Sequence, residues 1–444
     1  MGGSGSAARL LRGEELPRRY RVVVLLGLLA VAISRSPYLL LHGRFFAEEG
    51  SIYFAHAKLG SAWFVARHVG YIYAFCNASA WLAVRVPMEQ APLVTTWLSL
   101  GVVAAVAWAA LSLPSELLPN AGTRIAAATL LVVGPLAIPV VWLNTTNSQG
   151  YFGILALLLL FVDVTAVRRA TVVAMAALLG LAGLSGLYAA TLAPLFVYRA
   201  VRERTRRRML LAGVVSLCAL AQLAVVLHVN ASGDLAPGRG SFRGLGALTR
   251  DVSANQMSPF LFGPSIATRL LSHAHTFSGL VAFALFAVVV VVVLASVLAV
   301  VPRAEVALLL VAAFVLVEGL VLFGTRVSAG GRYAVVPIAI LTLIVVLGTT
   351  GESRVAARIA SVLCVVTLVA GLSTFWTAQP TGLRCINCPH WSREVRAWQT
   401  GKTNELAIWP YQGKTRWVVT LPHRPREAKA ARRSDGSLPP AASP

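Results

Sequence analysis

The stretch GYIYAFCNASAWLAV, residues 70–84, decides how the chain threads a membrane. It is apolar enough to pass for a span and short enough to lie along a surface, and every later segment changes sides with the choice. The rest of the chain supplies about eleven apolar runs near the length that a bilayer requires. They fall at 21–41, 86–113, 124–143, 150–167, 171–184, 187–200, 209–229, 278–301, 304–325, 333–350 and 355–373. If 70–84 crosses, Arg168 and Arg169 land opposite the basic amino-terminal RRYR of residues 18–21. If it lies flat, they share one side with RRYR, RERTRRR at 202–208, Arg303, Arg354 and Arg358. Basic residues concentrate in cytoplasmic loops, so the flat arrangement is favoured. Tyr71, Phe75, Ala78 and Leu82 recur at helical spacing, as an interfacial helix requires.

The bulk composition agrees with a membrane protein. The 444 residues are 57% hydrophobic and only 13% charged, with a formal net charge of +22. Mean hydropathy is +0.73, well outside the range of a soluble domain of this size. The apolar runs are continuous rather than alternating, so helices rather than a barrel satisfy the backbone in lipid. The cations lie in short clusters between those runs, which points to anionic membrane lipids and away from nucleic acid. The segment before residue 21 is polar, and the run after it has no small-residue cleavage site, so it reads as a retained first span.

The expected fold is therefore an all-α polytopic membrane protein of about eleven transmembrane helices. It divides into a cytoplasmic segment 1–20, a transmembrane domain 21–373, an extracytoplasmic Trp-rich unit 374–423 and a disordered tail 424–444. The outward-facing loops are 42–85, 144–150, 230–277 and 324–333. In 374–423, CINCPHWSREVRAW suggests a helix after a turn, and ELAIWP and TRWVVTL suggest two strands around YQGK, giving a small α+β cap. Cys385 and Cys388 suit a local disulfide if that unit lies outside the cell. Cys76, Cys218 and Cys364 sit in apolar surroundings and read as core residues.

One outward loop contains RFFAEEGSIYFAHA, residues 44–57. Its adjacent carboxylates, Glu48 and Glu49, either cap the helix that follows or serve chemistry. Flanked by FFA and SIYF, at least one should lie near apolar surface with raised proton affinity, which suits a general base.

A first span, an outer loop opening on an acidic pair with Tyr53 close behind, and then an interfacial helix beginning Gly70-Tyr71 together resemble the GT-C membrane glycosyltransferases. The likeness is to the protein mannosyltransferase and lipid A aminoarabinose transferase branch, with Glu48 standing where that branch has Asp. It implies an integral inner-membrane enzyme of bacteria. Such an enzyme moves a hexosyl or pentosyl group, with inversion, from a polyprenyl-phosphate donor to an envelope glycan, lipid or protein acceptor. By the same likeness, Glu48 is the base and Glu49 a second acceptor-orienting group, with Tyr53 and Tyr71 nearby.

For the donor phosphate the sequence offers SAGGRYAVVP, where Arg332 follows two glycines and Tyr333 adds a hydroxyl. The alternative is a basic and aromatic anchor at a helix end. Arg326 and Arg44 are secondary phosphate candidates. In NTTNSQG, residues 144–150, the amides of Asn144, Asn147 and Gln149 could bind sugar hydroxyls or simply build a polar turn. His42, His56, His68, His273 and His275 show no ligand spacing, so no metal is assigned, although a divalent ion is left open as a cofactor. Glu318, inside an apolar run, supports the competing idea of a transporter or flippase, with a non-catalytic relative as a third.

Overall fold

The structure is a computed structural model that describes residues 16–61, 64, 70–136, 141–232, 251–263, 277–299, 301, 303–324, 331–376, 389–412 and 415–422. The chain is a helical membrane protein. Among the described residues, five helices are long and apolar enough to cross a membrane: Met88–Ser112, Arg206–Ala231, Ala304–Leu322, Gly331–Gly348 and Arg354–Phe375. Each falls on one of the expected spans. Side chains such as Leu217, Leu220, Leu308, Val315, Val362 and Val365 are largely exposed along these helices. Water would penalise such apolar faces, whereas a lipid surround removes the penalty. Every residue of Val335–Gly348 is buried, so that helix forms the bundle's axis.

Of the other expected spans, 171–184 and 278–301 form the unbroken helices Arg169–Gly183 and Phe277–Ala299, and the rest form shorter or broken helices, for local reasons. The 21–41 run becomes Arg18–Arg35 and Pro37–His42, interrupted at Ser36 just before proline. The 187–200 run becomes Leu187–Thr191 and Ala193–Glu203, parted at Leu192 with Pro194 opening the second piece. The 150–167 run stops as Gln149–Leu160, beyond which Asp163 accepts from Thr165 N at 2.9 Å and closes a turn. Among the described residues, the 124–143 run is helical over Ala121–Val133, opened by a reciprocal cap between Asn120 and Thr123. Within 70–84 the helix is Ala74–Ala83, ten residues or about 15 Å, half of a bilayer core. Its exposed side carries Ala78, Trp81 and Leu82, with Arg85 over the Trp81 ring.

At one end of the bundle, arginines finish the Gln149–Leu160 helix. Arg199 and Arg208 donate to Leu160 O at 3.2 and 3.0 Å, supplying donors to carbonyls that a helix end leaves open. Arg199 also pairs with Glu116 at 3.0 Å and Glu203 at 2.6 Å, and Arg208 with Glu203 at 2.6 Å. Arg207 donates to Val164 O and Val167 O at 2.6 and 2.8 Å. Part of RERTRRR is thus spent inside the fold, while Arg202, Arg204 and Arg206 remain exposed. Replacing buried Arg208 by Ala is expected to cost about 3 kcal/mol or more, read as a lower melting temperature in detergent, because it strands several acceptors at once.

At the other end sits the acidic loop, joined by a unit of helix Trp391–Gln399 and antiparallel strands β1 (Glu405–Gln412) and β2 (Thr415–Thr420). The β1–β2 register breaks between Ala407 and Tyr411. In that gap the Trp409 backbone pairs instead with the acidic loop: Trp409 N donates to Phe45 O at 3.1 Å, and Ala47 N to Trp409 O at 2.6 Å. Phe45, Phe54, Met88, Trp391, Leu406 and Ile408 share one buried cluster beneath the contact. Trp391 Nε1 adds a bond to Met88 O at 2.6 Å.

Candidate functional site

The loop that carries the acidic pair is held under strain. Ala47, immediately before Glu48, has a φ of 48°, and Leu143, immediately before Asn144, also has 48°. Left-handed backbone at a residue with a side chain costs about 1 kcal/mol or more and persists only where surroundings enforce it. Here it brings two loops together. Gly50 is closely packed: an added Cβ would stand 2.7 Å from Ile408 Cδ1 and 2.8 Å from Phe45 Cβ. Gly50→Val is therefore expected to unseat the hairpin at a cost of about 2 kcal/mol, seen as faster limited proteolysis of residues 389–422.

The two carboxylates part company. Glu49 is 1% exposed. Its Oε1 accepts from Thr145 N at 2.8 Å and Thr145 Oγ1 at 2.5 Å, and its Oε2 from Phe46 N at 3.1 Å. Burial raises its proton affinity above the ordinary carboxylate range, while the Thr145 and Phe46 donors and the Arg44 charge pull it back. Oε1 fastens Thr145 to the acidic loop, and Oε2 closes a turn within that loop. The expected acceptor-orienting role for Glu49 is thus replaced by a positioning one, because no oxygen is left facing outward.

Asn144 and Asn147 are likewise turned inward. Asn144 Oδ1 accepts from Thr146 Oγ1 at 3.0 Å, Asn147 N at 2.9 Å and Asn147 Nδ2 at 2.8 Å. Both are buried, so these amides build the turn rather than present themselves to a sugar. Gln149 differs: half-buried, it accepts from the Tyr71 hydroxyl at 3.3 Å. Gly186, with φ of 139°, makes room for it, since a Cβ there would meet Gln149 Cβ at 2.7 Å. Tyr53 is buried, its ring centroid 6.0 Å from that of Tyr73.

Glu48 is half-buried and accepts no hydrogen bond from the described residues. It acts electrostatically on Arg332, as do Tyr71 and Tyr333, without a direct ion pair. Arg332 donates to the Tyr333 hydroxyl at 3.1 Å. Tyr188 joins the same neighbourhood, interacting with Tyr333, Tyr71, Arg332 and Glu318. One side of the acidic pair thus gathers Glu48, Tyr71, Gln149, Tyr188, Arg332 and Tyr333. Segment 70–75 is pinned there by Gln222, whose Oε1 accepts from Ile72 N at 2.8 Å and whose Nε2 donates to Gly183 O at 2.9 Å.

The other side holds cations. Arg44 is buried and donates from Nη2 to Trp142 O at 3.0 Å. Burial pushes its proton affinity down to about 9, with Glu49 raising it and Arg35 lowering it. Arg35 lies 4.6 Å from the Trp142 ring centroid and 4.8 Å from that of Phe375. Arg44 thus acts on Glu49, whereas Arg332 acts on Glu48.

Glu318 accepts from Gln256 Nε2 at 2.6 Å, tying residues 251–257 to the Ala304–Gly324 helix. Among the described residues, no three His, Cys, Asp or Glu side chains converge as metal ligands do. Arg326, Cys385, Cys388, His68, His273 and His275 lie outside the described residues. The sequence singled out neither Tyr188, in a short apolar helix, nor Arg35, at the end of the first one. No local pattern marks either. Comparison with protein-family models and with curated proteins finds no match.

Proposed function

We propose that this chain is a GT-C-type membrane glycosyltransferase that moves a sugar, with inversion, from a polyprenyl phosphate to a cell-envelope acceptor. In this reading it spans the bacterial plasma membrane with its amino terminus in the cytoplasm, so that the acidic loop and the carboxy-terminal unit work outside. The observation that carries it is Glu48: a half-buried carboxylate that accepts no hydrogen bond from the described residues and acts electrostatically on Arg332. A group kept unsatisfied next to a cation is positioned for a substrate.

The chemistry divides between the two. Glu48 takes the proton from an acceptor hydroxyl, whose oxygen attacks the anomeric carbon. The bond from that carbon to the donor phosphate oxygen breaks on the opposite face, and Arg332 and the Tyr333 hydroxyl meet the departing phosphate charge. Tyr71 and Gln149 offer a hydroxyl and an amide to the sugar. Transport draws on Glu318, but that carboxylate is bonded to Gln256, and the polar groups gather at the loop end instead.

Arg332→Ala tests the donor side. The expected result is a fall of about tenfold or more in kcat/KM, carried by the donor KM and partly restored in Arg332→Lys. An unchanged donor KM would remove Arg332 from the site.

A further inference from the structure

We infer that Arg35, Arg44, Trp142 and Tyr151 form a second, buried site for a phosphate group, distinct from the one at Arg332. It does not rest on the transfer reading and holds whether or not Glu48 is a base.

The four side chains are each 3% exposed or less. They adjoin one another: Arg44 bonds to the Trp142 carbonyl, Arg35 lies over the Trp142 ring, and Arg35 interacts with both Tyr151 and Arg44. Within this cluster Arg44 Nε and Nη1, Trp142 Nε1 and the Tyr151 hydroxyl are buried with no hydrogen-bond partner among the described residues. All four orphans are N–H or O–H groups, so what is missing is an acceptor. Phe46 and Trp409 lie 4.9 and 5.0 Å from the Arg44 guanidinium carbon. Aromatic rings stabilise a cation through their quadrupole but bring no carboxylate-like lone pairs to the edge donors.

The charge balance points the same way. Arg44 makes no direct ion pair with Glu49, whose oxygens are spent on Thr145 and Phe46. A buried guanidinium such as Arg44, with edge donors that meet no acceptor, is costly unless an anion completes the set. A guanidinium fork matches phosphate oxygens, and the indole and phenol donors would complete a tetrahedral acceptor. That phosphate could be a lipid headgroup or a free ion, two sources with the same chemistry.

The test uses the full chain in phosphatidylcholine nanodiscs, with thermal unfolding followed by tryptophan fluorescence. One arm adds inorganic phosphate at constant ionic strength, and the other replaces part of the lipid with phosphatidylglycerol. Saturable stabilisation by phosphate assigns a free ion; stabilisation by phosphatidylglycerol alone assigns a headgroup. Trp142→Phe keeps the ring and removes one donor, and should weaken the effect about tenfold. Arg44→Lys should weaken it at least as much, and Arg332→Ala should leave it intact. Stabilisation in neither arm, stabilisation unchanged in Trp142→Phe, or its loss in Arg332→Ala would overturn the proposal.

Discussion

Glu48→Gln is expected to lower glycosyl transfer by about 10²–10⁴-fold while the protein still reaches the membrane in normal yield. The amide keeps the volume and much of the polarity of the acid but accepts no proton at neutral pH. Because Glu48 bonds to none of the described residues, the fold does not depend on it. The checks are the glycan composition of the cell envelope, membrane yield and melting temperature. Glu318→Gln serves as the companion, since it alters the clip to Gln256 and should cost far less activity. If Glu318→Gln proved the more damaging, transport would become the better account.

Glu49→Ala should fail for a different reason. It removes the acceptor from Thr145 N, Thr145 Oγ1 and Phe46 N together, leaving buried donors unpaired where the two strained loops meet. The expected loss is about 3–5 kcal/mol of stability, seen as a lower melting temperature and lower membrane yield. Any loss of transfer should track the folded fraction. Two neighbouring carboxylates would then differ in kind, with Glu48→Gln inactive but folded and Glu49→Ala poorly folded. Loss of activity without loss of stability in Glu49→Ala would contradict its assignment as a positioning residue.

That difference between neighbours marks where the sequence stops being informative. Long apolar runs such as 209–229 and 355–373 are legible because helices in lipid need little beyond continuous hydrophobicity. The breaks at Ser36 and Leu192 are harder to read, since Pro37 and Pro194 are also tolerated as first-turn residues of a helix. Which carboxylate turns inward depends on the backbone at Ala47 and on Thr145, 96 positions away. The same holds for Trp409, whose pairing with Phe45 and Ala47 needs a register break in a distant hairpin. Asn144 and Asn147 look like sugar ligands by residue type, yet their own turn consumes them. Charge counting placed RERTRRR at lipid headgroups, but Arg207 and Arg208 complete a helix end and the turn after it.

The most direct measurement is a cryo-EM map of the full chain in a nanodisc, supplied with a polyprenyl-phosphate sugar and trapped as Glu48→Gln. The account predicts density for the donor phosphate against Arg332 and Tyr333, with the anomeric carbon between that phosphate and residue 48. A donor phosphate bound elsewhere in the bundle, with residue 48 facing no part of the sugar, would contradict it.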